Sequence, residues 1–213
     1  TEAHALLRAE NPGDEPQIYA GVANQAGLRD DARLESLFRG PAFLALDQAS
    51  GALLVSDRDN HVIRQVDPGS NGRVVSLAGS GRPGWADGAG AAVRFDSPQG
   101  LALDTSGRIW IVDTENHVIR RLDRTTGEVV TVAGAPGSAG YADGIGAEAR
   151  FNRPTGIALE RESLAQQLVR EVQGEPPPAV TLLVTDTGNG LRRRVSESGL
   201  VETVGDTSKG SAA

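Results

Sequence analysis

Two copies of the pentapeptide Asn-His-Val-Ile-Arg, at Asn60–Arg64 and Asn116–Arg120, bring an amide, an imidazole and a guanidinium together. Each follows an aspartate, Asp57 or Asp113. Such a set can relay protons, hold a metal ion or stabilise an anion. A third copy, Asn189-Gly190-Leu191-Arg192-Arg193 behind Asp186, keeps the carboxylate, amide and arginine but has no imidazole. One active site needs its groups once, so groups present in every copy point to scaffold. Asp57, Asp113 and Asp186 are expected to accept backbone N–H bonds and hold an Asx-type turn. Asn60, Asn116 and Asn189 are expected to tolerate a left-handed turn. Arg64, Arg120 and Arg193 are expected to pair with repeated carboxylates. His61 and His117 have no second histidine at ligand spacing, and no metal or cofactor is expected.

Other candidate chemistry is thin. Asp87-Gly88 and Asp143-Gly144 resemble part of a calcium loop, but the alternating acidic ligands and the closing glutamate are missing. The run Arg192-Arg193-Arg194 is the one dense cationic stretch. In a strand, alternation sends its outer two side chains to one face and the middle one to the other. Arg192 and Arg194 are therefore candidate partner contacts. No unrepeated nucleophile, base and orienting residue stand together, so catalysis is not expected.

These residues are carried by a repeat. "PAFLALD" from Pro41, "PQGLALD" from Pro98 and "PTGIALE" from Pro154 align at offsets of 57 and 56 residues. A second line follows in each unit: "LLVSDRDNHVIRQVD", "IWIVDTENHVIRRLD" and "LLVTDTGNGLRRRVS". A third closes it: "VVSLAG", "VVTVAG" and "VETVG", with an orphan copy, "QIYAG", at Gln17–Gly21. The runs are short, alternating and β-branched, with Ser-Gly and Thr-Gly turns between them. Four antiparallel strands per unit are expected, in the second unit near Gly100–Asp104, Arg108–Asp113, Val118–Asp123 and Val129–Ala133. That is the signature of a β-propeller blade, with a strand-rich sandwich as runner-up.

The pattern Pro-x-Gly-Ile/Leu-Ala-Leu-Asp, then Ile/Leu-x-Val-x-Asp-x-x-Asn-His-x-Ile-Arg, then Val-x-Thr/Ser-Val/Leu-Ala-Gly resembles the NHL repeat over roughly residues 17 to 205. Val62 and Val118 stand where the family's name has leucine. The resemblance implies a propeller, commonly six-bladed, that binds proteins or nucleic acid. A minority of relatives are enzymes of the amidating-lyase or lactonase type, with a metal in the central channel.

The predicted architecture is thus all-β, with about three NHL-type blades. Its parts are an extension over 1–16, an orphan outer strand over 17–21, blades over 41–79, 98–134 and 154–205, and a flexible tail over 206–213. Long connections from Gly79 and Gly134 are expected to place Trp85 or Tyr141, and Phe95 or Phe151, in the gaps between blades. The third unit carries about 17 extra residues within 160–178. There Ser163 and Gln166 suggest a capping box, and Leu164, Leu168 and Val172 share one helical stripe. This short helix is expected on the face opposite the Asp-Gly loops, either lying on its own blade or presenting its stripe to a partner.

Composition sets outer limits. The 213 residues are 38% hydrophobic and 23% charged, which suits a folded, soluble protein. No apolar run approaches the ~18 residues of a membrane helix. The net charge of −7 argues against a nucleic-acid surface. Twenty arginines against one lysine, Lys209, read as the habit of a GC-rich genome, and zero cysteines leave the compartment open. A chain that opens on Thr1 and holds no methionine reads as a processed product or a section of a longer one. Three blades and an orphan strand do not close a ring of four to eight blades. An open arc is expected to bare an apolar blade face at each end. The expected partner is a protein, above all the remainder of a longer parent chain that completes the ring, with a homodimer as the alternative.

Overall fold

The computed structural model describes residues 4–9, 11–160, 162–174 and 179–206. It is a β-propeller arc of three blades preceded by the outer half of another. Strands β1 (Ala5–Arg8) and β2 (Gln17–Gly21) pair antiparallel by themselves. Blade 1 contains β3 (Asp31–Ala32), β4 (Pro41–Leu46), β5 (Leu53–Asp57), β6 (Val62–Val66) and β7 (Arg73–Ala78), in the sheet order β3-β7-β6-β5-β4. Blade 2 repeats this with β8 (Gly88–Ala89), β9 (Pro98–Leu103), β10 (Ile109–Asp113), β11 (Val118–Leu122) and β12 (Glu128–Ala133). Blade 3 has β13 (Gly144–Ile145), β14 (Gly156–Leu159), the helix α1 (Leu164–Gln173), β15 (Thr181–Asp186), β16 (Leu191–Ser196) and β17 (Leu200–Asp206). Among the described residues no helix is long and apolar enough to cross a membrane.

The strands alternate because successive side chains meet different neighbouring blades. Each junction has its own apolar cluster. Leu6 and Ala20 pack with Phe38, Val55, Val66 and Val74. Leu54, Ile63 and Ala78 of blade 1 pack with Leu101, Ile109, Ile111, Leu122 and Val129 of blade 2. Trp110, Val112, Ile119 and Ala133 of blade 2 pack with Ile157, Leu182, Val184, Val195 and Val201 of blade 3. Phe95 and Phe151 are fully buried in the second and third junctions. Each contributes roughly 1.5–3 kcal/mol of apolar burial. At the inner strands the blades approach closely: Gly100 N–H donates to the Thr155 carbonyl at 3.0 Å, and a Cβ on Gly100 would stand 2.7 Å from that oxygen.

Several expectations are corrected. The stretch before Gln17 contains a strand, β1, so the orphan strand has a partner. Each full blade gains a fifth strand, because the long connections fold back along its outer edge: Gly88 and Ala89 pair with Val129 and Glu128. The Asp-Gly segments therefore lie on blade edges and do not define a face opposite α1. Trp85 and Tyr141 are not gap fillers. Both are exposed, and the Trp85 indole donates to Thr131 Oγ1 at 2.9 Å. Residues 207–213, expected as a tail, lie outside the described ones.

Candidate functional site

The repeated Asp, Asn and Arg residues form one buried cluster per blade. In blade 2, Asp113 Oδ2 accepts from Asn116 Nδ2 at 2.8 Å and from Arg120 at 3.0 Å, and Oδ1 accepts from the Asp96 N–H at 2.8 Å. Arg120 also donates to the Arg94 and Ala86 carbonyls and to Asp87 Oδ1, which in turn accepts from Thr131. Blade 1 repeats this with Asp57, Asn60, Arg64 and Asp30. Blade 3 does so with Asp186, Asn189, Arg193 and Asp143. The guanidiniums stack on Phe38, Phe95 and Phe151 at 4.4, 4.7 and 5.1 Å. Burial pushes Asp57 upward and Asp113 up to about 7, while their Asn and Arg donors and the backbone N–H pull down. Through the arginine bonds to the Ala86 and Arg94 carbonyls and to Asp87, and their counterparts, the clusters clamp the edge connection to its blade.

Two details differ from the sequence reading. The Asp57 and Asp186 carboxylates do not cap their own turns. The Asx turns belong to Asp47, Asp104 and Asp123, whose Oδ1 atoms accept from Ala49, Ser106 and Thr125 N–H. The left-handed residue is not the asparagine but its successor: His61 has φ 55°, His117 φ 60° and Gly190 φ 66°. Glycine adopts that state without strain at Gly190, where the third copy has no histidine. The imidazoles tie blades together. His4, His61 and His117 each present Nδ1 to the backbone N–H of Gly40, Ser97 and Arg153 in the following blade, at 3.3, 3.1 and 3.0 Å. Among the described residues no three His, Asp or Glu side chains converge as metal ligands.

The turns joining each blade's first and second strands carry the repeated Leu46, Leu103 and Leu159 with Asp47, Asp104 and Glu160, and the unrepeated insertion of blade 3 and Arg124 meet them there. There a groove of about 820 Å³ runs across all three blades, over Leu46, Ala49, Leu103, Thr105, Leu159 and Val180. Asp47, Asp104, Arg124, Glu160 and Glu162 supply its polar lining. Arg124 of blade 2 crosses to blade 1, donating to Asp47 Oδ2 at 2.8 Å and Gln65 Oε1 at 3.0 Å. The Ser50 hydroxyl and the Arg124 guanidinium hold the Asp47 carboxyl down at about 2. Arg108 joins Asp104 to Glu197 of blade 3. Sequence reasoning missed these latches, since nothing local marks a turn arginine as the partner of a carboxylate 77 residues away.

The helix α1 stands on the insertion whose base lines this groove. Ser163 and Gln166 make the reciprocal bonds of a capping box, at 2.9 and 3.3 Å. Leu168 and Val172 are 53% and 88% exposed; the side chain of Leu164 lies outside the described ones. Arg194 is taken up by Glu160 of its own blade, with bonds of 2.7 and 2.8 Å. Arg192 is exposed at the register position that Ile63 and Ile119 fill in blades 1 and 2. On the outward face of blade 3 arginine thus replaces the junction isoleucine, while Leu183, at the position of the buried Leu54 and Trp110, is partly exposed.

With this geometry, comparisons with known proteins agree. The NHL repeat model matches residues 95–122, from Phe95 through β11. Over 102 residues the chain is 36% identical to the Arabidopsis thaliana protein Suppressor of quenching 1, chloroplastic, covering 48% of this chain and 10% of that one. Over 94 residues it is 37% identical to human NHL repeat-containing protein 2, covering 44% and 12%. The chain thus spans about a tenth of the length of these curated relatives. Among solved structures, an auxiliary nutrient binding protein from Bacteroides thetaiotaomicron superposes with a TM-score of 0.64 at 19% identity, over 94% of this chain and 43% of that one. That likeness concerns the fold. Repeat, clamp and blade order together make this chain a β-propeller arc that carries an NHL repeat at residues 95–122.

Proposed function

We propose that the chain is a non-catalytic protein-interaction scaffold, one part of a larger propeller or assembly, and that it receives an extended polypeptide segment in the groove over its first-to-second strand turns. One observation carries this: features that do not repeat, the helical insertion and the Arg124 latch, gather at a groove shared by three blades. Repeated residues build the scaffold and the groove floor, and the differences between blades supply specificity. The floor of Leu46, Leu103, Leu159 and Val180 suits apolar side chains, and the chain's net charge of −7 favours the approach of a basic segment. The exposed Leu168 and Val172 of α1 extend the apolar surface at the insertion.

Display of random peptides against the full chain tests this. Enriched sequences should combine apolar and basic residues, and their binding should fall at least tenfold in Ala49→Arg and Thr105→Arg. Peptides that bind both variants as well as wild type, or no enrichment at all, would overturn the groove as the binding surface.

A further inference from the structure

The pair β1–β2 stands to blade 1 as each blade stands to the next. His4 meets Gly40 as His61 meets Ser97 and His117 meets Arg153. Gly21 N–H donates to the Arg33 carbonyl as Gly79 and Gly134 donate to those of Gly90 and Gly146. The register matches too, with a shift after Leu6 where blades 1 and 2 shift after Ile63 and Ile119. By position β1 is a third strand and β2 a fourth. In every full blade the third strand pairs with a second on its inner side, whereas β1 pairs with β2 alone among the described residues.

The surface beside this edge is apolar. Leu44 of β4 is 46% exposed, although its counterparts Leu101 and Ile157 are 2% and 7% exposed under the preceding blade's inner strands. Leu46 is exposed on the same side. On β1–β2 the cross-strand neighbours Leu7 and Ile18 are also exposed. They occupy the places of Arg64 and Ser76 in blade 1 and of Arg120 and Thr131 in blade 2. The buried arginine clamp is therefore absent from this blade, and an aspartate opposite Ala5, matching Asp57 opposite Val62, would be buried without its counter-charge.

We propose that the open edge of β1 receives a two-stranded β-hairpin, the first half of an NHL-type blade contributed by polypeptide outside the described residues, with an apolar residue in place of the repeat aspartate. The template is the chain's own junction: β4–β5 covers blade 2 and β9–β10 covers blade 3 in this manner. A second copy does not provide the hairpin, because β4–β5, β9–β10 and β14–β15 are each paired within their own sheets. The inference rests on the chain being part of a larger propeller; it shares Leu46 with the groove but not Ala49 or Thr105, the positions whose substitution tests the groove.

The test uses the full chain and two synthetic peptides with the sequence of residues 97–113, one unaltered and one carrying Asp113→Leu. The leucine peptide should bind at least tenfold more tightly and slow amide exchange over Ala5–Arg8. Leu7→Arg in the full chain should reverse the ranking, by restoring the counter-charge. Groove variants such as Ala49→Arg should bind the leucine peptide as wild type does, so failure here and failure of the groove are told apart. Absence of β1 protection by either peptide, an unchanged ranking in Leu7→Arg, or a dimer that excludes both peptides would overturn the inference.

Discussion

The Nδ1 atom of His117 accepts a hydrogen bond from the backbone N–H of Arg153, 3.0 Å away, and so fastens blade 2 to blade 3. At that atom the ring is an acceptor, so its proton sits on Nε2. The histidine of the repeat thus performs coupling between blades, and the two residues at either end of the bond share an uncommon backbone state, φ 60° at His117 and 47° at Arg153.

His117→Ala removes the acceptor and leaves alanine in the left-handed region. A loss of about 1–2 kcal/mol in urea unfolding is expected. His117→Gly loses the same bond without the backbone strain and should fall between wild type and alanine. Equal losses in both would show that backbone strain contributes nothing at this position.

The buried clamp should be costlier to break. Arg120→Met keeps volume but leaves Asp113 fully buried beside Asn116 and the Asp96 N–H, with no cation. A destabilisation of about 3–5 kcal/mol is expected. Adding Asp113→Leu should recover part of it, because the second change removes the stranded carboxylate. A double variant as unstable as the sum of the single ones would mean that the two groups act independently.

The repeat period, the strand order and the plugs Phe95 and Phe151 were legible because each recurs at a fixed offset with apolar alternation. β1 was not, since Ala5-Leu6-Leu7 keeps the apolar pattern but lacks the arginine that marks the third strand elsewhere. The edge strands β3, β8 and β13 are two residues long, too short for an alternation to mark them as strands, although Asp87-Gly88 recurs as Asp143-Gly144. The groove was illegible for a different reason. Its lining comes from turns of three blades, and the Arg124 to Asp47 latch exists only after those turns are brought together. By contrast α1 announced itself through its capping box and apolar stripe, both local features.

The Asp47 latch has a pH signature. Its carboxyl titrates at about 2, below the ordinary 3.8, so it is a group with a depressed folded pKa. The stability it contributes is present above about pH 4 and lost as pH falls toward 2. Its contribution is on the order of 1 kcal/mol. Asp47→Asn should flatten this part of the acid limb, and Arg124→Gln should flatten it partly, with the Ser50 bond remaining. Acid unfolding followed by circular dichroism reads both. Identical acid limbs in wild type and Asp47→Asn would show that the latch is not coupled to folding.

The last prediction concerns the outward face of blade 3. At the position of Ile63 and Ile119, which lie fully buried in the two junctions between full blades, this blade has the exposed Arg192, whose guanidinium lies over Gly205. The imidazole that would reach a following blade is also gone, replaced by Gly190. Both junction devices are therefore changed at once on the same blade. A blade with a polar outward face resists unwanted stacking. Arg192→Ile should restore a junction-like apolar face and drive concentration-dependent association, read by light scattering as a rise in mass above 22.2 kDa. Arg192→Lys, which keeps the charge, should leave the mass unchanged. If the isoleucine variant behaves as wild type, Arg192 is not what keeps this face from stacking, and the loss of the imidazole at Gly190 becomes the feature to restore next.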